Sequence, residues 1–547
     1  MCACDFRVRF VTLPAVDAPR AGSYDRGAVR AILEGVLITM SDAYDVIIVG
    51  AGPAGCVLAA RLTENAARRV LLVDAGPDYG SDPVGWPEDL LDPYHSAVLS
   101  HSWGYANAAT AGGVRAPLPR ARVVGGCSAV NACIWLRGSA SDYANWERTG
   151  GPGWGWDDML TAFKRSETDP GGEAGVHGTD GPIRIHRVPD NERSPSQAAL
   201  VEVAQELGFA YQPDVNASGK QVPSIGPTPR NVADAQRLNG ALTYLAVARG
   251  RPNLTIASES LVDRLLMDGG RVVGVVTADG HELRGEEVFL SSGAYGSPAI
   301  LLRSGIGPAQ QLRELGIEVV LDQPGVGEHL LDHPYLAPYT SGLTIFPLRP
   351  GLEGGRRAFI QVMLKARSSQ TSDEIDLHIY PRELPDEATG GWSLILPVSL
   401  QYARSKGRVR LTSADPQAPL DIDHRYFSDP ADLEAMIDGV QLAGRLVDTP
   451  PLAGMLEVSE EKRRILGDRD AIAAIVVEEI GTTFHPSSTC RMGPASDASA
   501  VVGPDCRVHG IDGLRVVDAS IFPWGPRCNL HGPVVATAER AVQMMKG

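Results

Sequence analysis

Gly50, Gly52 and Gly55 stand at G-x-G-x-x-G spacing, between the apolar run YDVIIV (44–49) and the helical pattern CVLAARLTEN. A second apolar run, Val70–Val73, ends at Asp74, nineteen residues past Gly55. Strand, glycine turn, helix and strand with an acid at that distance predict a dinucleotide site. Gly50 permits the tight turn, Gly52 the close approach of a pyrophosphate, and Gly55 the packing of helix on strand. The free N–H groups and positive dipole end of the helix suit the phosphates. Asp74 would accept hydrogen bonds from ribose hydroxyls. Pro53 and Ala54 inside the turn, and Ala75 after the acid, are expected beside the same ligand.

The elements that position this turn extend through the chain. YDVIIV and VLLV read as strands buried on both faces, which belong to a parallel sheet. RVVGGCSAVNACIWLRG (122–138) has adjacent glycines and small residues, fit for close approach to a flat ligand, with Trp103 ahead of it. The aromatic stretch at 143–156 reads as a loop and helix start, and 196–208 as a short helix. Strand signals from 253 to 291 suggest a β-meander returning to the first sheet. GSPAILLRSGIG (296–307) runs from Gly-Ser-Pro into a helix. Residues 336–479 carry amphipathic strands (IDLHIYPREL, WSLILPVSLQYA, GRVRLTSA) and a strong helix at 430–447, which suits an antiparallel sheet with helices on one side. GLRVVDASIFP (513–523) is a buried strand ending at Asp518, and Pro533 opens a final helix. The fold class is therefore α/β plus α+β.

Composition removes several classes of function. The 547 residues, 44% apolar and 21% charged, suit two large domains and exclude wholesale disorder. Net charge is −16, and no basic stripe is visible, which argues against nucleic acid. No run is long enough to span a membrane as a helix. The eight cysteines lack any C-x-x-C pairing, which fits a reducing, cytoplasmic compartment and neither a disulfide framework nor a zinc cage. Residues 1–39 read as a poorly ordered extension, with Met40 a natural start. His329 and His333, four apart, could face a metal from one side of a helix; with no third ligand in view, no metal is expected.

Together, VGAGPAG (49–55), VVGGCSAVNACIWLRG (123–138), GAYGSPAILLRSGIG (293–307), GVGEHLLDHP (325–334), HPSSTCRMG (485–493) and VHGIDGLRVVDASIFP (508–523) resemble the glucose–methanol–choline (GMC) oxidoreductase family of FAD-dependent alcohol oxidases and dehydrogenases. The similarity covers about residues 44–547. It implies a Rossmann-type FAD-binding domain (40–160, 232–335 and 480–547) and a substrate domain on an antiparallel β-sheet (161–231 and 336–479). It also implies that Trp103, Val124, Gly126, Asn131, Ala132, Val262, Asp518, Ala519 and Pro533 join the glycine turn in holding FAD.

The resemblance further implies a catalytic pair. His485 matches the histidine of the family's HPxGTCRMG motif, and Asn529, 44 residues on, matches its His-or-Asn partner. Alcohol oxidation removes the hydroxyl proton and the α-carbon hydride, the hydride passing to flavin N5. Histidine suits the proton and an amide can hold the oxygen without titrating. His531 stands where many relatives carry Asn, so it is expected to touch flavin or substrate, or to share the acid–base work. Ser488 replaces a motif glycine. Val130 replaces the histidine through which some relatives attach flavin, so FAD is expected to be non-covalent. The partners expected are a small-molecule alcohol and O2 or another electron acceptor, with no nucleic acid and no membrane span. The alternative is a non-redox, hydroxynitrile-lyase-like enzyme on the same scaffold.

Overall fold

Residues 46–49 are buried, and a strand with apolar residues on both faces needs neighbours on both sides. The computed structural model supplies them; it describes residues 44–546 apart from 98, 108–116, 218, 337–340, 353, 373 and 387–389. The expected extension at 1–39 lies outside the described residues. β1 (Tyr44–Val49) passes through a glycine turn into α1 (Pro53–Leu62) and then β2 (Val70–Val73). α1 starts at a proline, whose missing N–H costs nothing in the first turn.

β2 pairs in parallel with β3 (Leu254–Ala257), and the meander follows as β4 (Val262–Asp268), β5 (Arg271–Thr277) and β6 (Glu282–Leu290). The first part of β6 pairs with β5 antiparallel; its second part lies parallel to β1. β7 (Leu514–Val516), more than 200 residues on, adds in parallel to the other side of β6. The parallel core thus runs β7-β6-β1-β2-β3, as the local patterns required, and the meander does return to it. All of its strands point their C-terminal ends toward the glycine turn, where ligands bind in open α/β sheets.

A second sheet of seven strands has its own apolar core. In order it contains Gly481–Thr482, Pro334–Leu336, Val398–Leu400, Leu377–Ile379, Val362–Ala366, Ser224–Pro227 and Ala210–Tyr211. Every pairing is antiparallel except the last. The helix Pro430–Asp448, capped by Asp429, packs its apolar stripe on this sheet. GRVRLTSA does not join it: Gly407–Leu411 pairs instead with Glu328–Leu330 and Leu420–Asp423.

Other local expectations need correcting. The stretch 143–156 lies mostly inside two helices, Ala140–Gly150 and Trp156–Ser166; a reciprocal Ser139–Asp142 capping box starts the first earlier than the aromatic pattern suggested. The helix at GSPAILLRSGIG begins at Gly293, with Pro298 inside it. Proline there deprives the Ala294 carbonyl of its usual partner, and the Thr489 hydroxyl donates to it instead at 2.7 Å. His329 lies in a strand with φ +58°, so it shares no helix face with His333.

Candidate active site

The glycine turn opens into a cavity of about 970 Å³. Gly50 has φ +97°, a conformation that disfavours any side chain. Gly52 has ordinary dihedrals, and a Cβ on it would come no nearer than 3.8 Å to the protein. Nothing in the chain itself requires glycine there, and its bare backbone leaves room for a ligand to approach closely. Gly126 faces it: a Cβ there would lie 2.6 Å from the Gly52 Cα. Gly55 meets an internal demand, since its Cβ would lie 1.9 Å from the Gly50 carbonyl oxygen. The Ala54 and Gly55 N–H groups at the start of α1 have no helical acceptor.

The cavity is lined by Gly50, Gly52, Pro53, Ala54, Asp74, Ala75, Trp103, Gly126, Asn131, Ala132, Val262, Asp518 and Ala519. Gly55, Val124 and Pro533 do not reach it; they pack behind the wall. Asp74 accepts from the Ala51 and Gly76 N–H groups at 2.7 and 2.8 Å, leaving lone pairs on each oxygen. Asp518 accepts from the Gly293 N–H and the Ser297 hydroxyl, tying β7 to the helix after β6. Trp103 stacks on Tyr105, with the Arg122 guanidinium 5.3 Å from its ring.

At the other end of the cavity, Asn529 Nδ2 and His485 Nε2 are 3.2 Å apart. The Tyr380 hydroxyl donates to Asn529 Oδ1 at 3.1 Å, which turns the amide nitrogen toward the imidazole. With an N–H donor before it, His485 Nε2 carries the lone pair. Its Nδ1 then holds the proton and donates to His333 Nδ1 at 2.9 Å. Asp332 accepts the His485 backbone N–H at 2.8 Å, the Tyr426 hydroxyl at 2.5 Å and the Thr482 hydroxyl. Burial, with the positive influence of His333, Arg120 and His378, holds the His485 pKa well below the usual histidine range. Burial brings His333 down to about 4 as well. The neutral form of the imidazole at 485 is therefore favoured, with Nε2 turned toward the amide of Asn529.

His531 also lines the cavity, but it is not paired with His485. Its Nδ1 lies 3.4 Å from Asn231 Oδ1, its ring stands edge-on to Trp135, and burial lowers its pKa to about 4. It opens the helix His531–Lys546, whose N-terminus faces the cavity.

Sequence reasoning passed over His333 as part of a discarded metal pair, although its ring is the nearest neighbour of His485 Nδ1. It also missed Tyr335, Arg120 and Arg382, which share the cavity wall with His485. Among the described residues, the one group of His and carboxylates close enough to hold an ion is Glu167, Asp169 and His177. Arg137 and Arg187 already ion-pair with those carboxylates.

A parallel sheet with a glycine turn, a cavity running from it to a histidine, and an amide beside that histidine define a dinucleotide-dependent oxidoreductase. Two family models described as GMC oxidoreductase match residues 44–335 and 403–538, and the chain belongs to that family. Members of the family bind FAD, and the glycine cradle fits it. Among relatives, human mitochondrial choline dehydrogenase is 34% identical, over 92% of this chain and 90% of that one. The oxygen-dependent choline dehydrogenase of Photobacterium profundum is 32% identical, over 93% and 94%. Among solved structures, pyridoxine 4-oxidase from Mesorbium loti superposes with a TM-score of 0.82 at 30% identity, covering 92% of this chain and 99% of that one. A formate oxidase from Aspergillus oryzae RIB40 gives the same TM-score at 26% identity, with 92% and 98% covered. The enzyme is a GMC-type FAD oxidoreductase. Among the described residues, no helix is long and apolar enough to cross a membrane.

Proposed function

We propose that this enzyme oxidises a CH–OH group to a carbonyl, with His485 as the base and Asn529 as the oxygen-holding amide. The observation that supports this most is the 3.2 Å contact between His485 Nε2 and Asn529 Nδ2, on the wall of the cavity that begins at the glycine turn. A substrate hydroxyl entering beside them would take the place of the amide N–H on Nε2, donating to Nε2 while its oxygen accepts from the amide. His485 takes the proton at Nε2 and keeps its Nδ1–H on His333, whose neutral ring can accept from the imidazolium. FAD would be held non-covalently along the Gly50–Gly55 turn and Asp74, against the wall that Gly52 and Gly126 form together, and would supply the hydride acceptor. The N-terminus of His531–Lys546 favours negative charge in the cavity through its dipole.

The segments 40–160, 232–335 and 480–547 hold the cofactor in this reading, and 161–231 with 336–479 shape the substrate side. Val130 lines the cavity and offers no nucleophile to a flavin, which supports non-covalent attachment. Acid precipitation is expected to release the yellow chromophore into the supernatant, whereas a coloured pellet would refute that attachment.

Anaerobic mixing of the FAD-loaded enzyme with a panel of alcohols tests the reaction. Loss of the oxidised-flavin absorbance with one carbonyl formed per flavin is expected. Carbonyl formation without any bleaching would contradict oxidation and favour the lyase alternative. Readmitting air and following flavin reoxidation separates an oxidase from a dehydrogenase.

A further inference from the structure

Arginines without an ion-pair partner stand on the cavity wall, while the carboxylate against His485, Asp332, is buried behind that wall, accepting from the His485 N–H and the Tyr426 and Thr482 hydroxyls. Three arginines on the cavity wall, Arg120, Arg122 and Arg382, have no ion-pair partner among the described residues; Arg122 donates its Nε–H to the Ala75 carbonyl at the glycine-turn end, whereas Arg120 and Arg382 each have a buried Nε without a hydrogen bond. Arg120 lies 5.8 Å over the ring of Phe484, next to His485. Arg382 lies 5.8 Å over Phe359 and acts electrostatically on Tyr335. His378, Tyr380 and Arg382 are alternate residues of one stretch. His378 bonds the Tyr380 hydroxyl, which bonds Asn529, so Arg382 continues the line of side chains that ends at the catalytic amide.

The carboxylates on the cavity wall are Asp74, Glu259, Asp279 and Asp518. Asp74 and Asp518 bind backbone at the glycine turn and behind β7. Glu259 and Asp279 flank the two ends of the β4–β5 hairpin, at the nucleotide end. None is near His485. The remaining wall of the chamber is a small apolar cluster of its own, which includes Ile134, Tyr335, Ile360 and Tyr380.

We infer that the substrate is an alcohol with an apolar or aromatic body and a carboxylate, the carboxylate pairing with Arg382 while the carbinol lies at His485; this rests on the alcohol-oxidising reading above. A planar guanidinium with free donors is suited to a carboxylate, often in bidentate fashion. A quaternary ammonium alcohol such as choline, which names several relatives, would meet two arginines without ion-pair partners, with the nearest carboxylate, Asp332, behind the wall and already hydrogen-bonded. Its aromatic neighbours, Tyr335 and Tyr380, would attract it only weakly against that repulsion.

The test uses the FAD-loaded enzyme and three matched probes: para-hydroxymethyl benzoate, benzyl alcohol and para-trimethylammonium benzyl alcohol. Half-maximal rates of anaerobic flavin bleaching are expected at about tenfold lower concentration for the carboxylate than for the neutral alcohol, the scale of one charged hydrogen bond. The ammonium probe should need at least about tenfold more than the neutral one. Arg382→Met should bring the carboxylate-to-neutral ratio near one, and Arg382→Lys should restore part of it. Calorimetry with benzoate, which has no carbinol to oxidise, should show binding to the wild type that Arg382→Met weakens by a similar factor. Tightest use of the ammonium probe, or an unchanged ratio and unchanged benzoate affinity in Arg382→Met, would overturn the inference. If no probe bleaches the flavin, the alcohol reading fails, and benzoate binding alone decides the role of Arg382.

Discussion

Asn529 holds His485 in one protonation pattern, because its amide donates to Nε2 and cannot titrate. Replacing it with a carboxylate reverses the electrostatics. A carboxylate beside Nε2 would favour the imidazolium, so the His485 pKa should rise in Asn529→Asp. In the wild type that pKa lies well below the usual range, so the base form persists as pH falls and kcat/KM should hold steady from pH 8 to about 6. In Asn529→Asp the same profile should fall with pH across that range, through a pKa moved upward. Superimposable profiles would refute the role of the amide. Tyr380→Phe, which frees Asn529 Oδ1, should cost about tenfold in flavin reduction without changing FAD content.

Among the elements, the turn after β1 and the turn at 125–126 form one cradle from two parts of the chain. Gly52→Ala separates the needs of the protein from those of the cofactor, since the added methyl has room in the protein but points where FAD must approach. Its apo form should melt with the wild type, within about 0.5 kcal/mol, while FAD content after purification drops severalfold. Gly126→Ala should lose FAD too, but its clash with Gly52 should also lower the apo melting temperature. Equal FAD loading in Gly52→Ala would contradict the cradle.

The same elements show what was legible in the sequence. β1, α1 and β2 are local: period, turn chemistry and the spacing to Asp74 all fall within residues 44–74. The second sheet is not. Its strands are short, and neighbours such as Pro334–Leu336 and Val398–Leu400 come from distant segments, so no local pattern gives their order. His485 and Asn529 were found through family motifs and not through spacing. The His333–His485 contact, across 152 residues, had no sequence signal beyond a histidine in HLLDHP. Phe346 and Trp392 pack in or against the core of the second sheet while Tyr380 lines the cavity; a short apolar strand reads alike whether it faces a pocket or a core.

For the molecule as a whole, the buried histidines set how stability depends on pH. Burial pushes His333, His378, His424, His485 and His531 all below the usual value. Below about pH 6.5 the unfolded chain takes up protons at these positions and the folded one does not, so stability must fall with pH until the folded pKa values are reached, at about 4 for His333 and His531. Each such group contributes a slope of up to about 1.4 kcal/mol per pH unit in that window. His177 acts in the opposite sense: burial lowers its pKa, but bonds to Asp214 and Glu167 outweigh that and raise it, so its contribution is lost as pH rises. The depressed group outnumbers it, so the melting temperature should drop steadily between pH 6.5 and 5. His378→Asn, which removes one group from the count, should flatten that slope; an equal slope in the variant would contradict the assignment.

The imidazole at 485 takes the substrate proton, in this reading, within a cavity that holds FAD independently of it. The decisive measurement is single-turnover flavin reduction under anaerobic conditions, compared between the wild type and His485→Ala at equal FAD content. The variant should keep its normal yellow colour and reduce its flavin at least about a hundredfold more slowly with the best alcohol substrate. Reduction at a rate within a few-fold of wild type would contradict that role for His485.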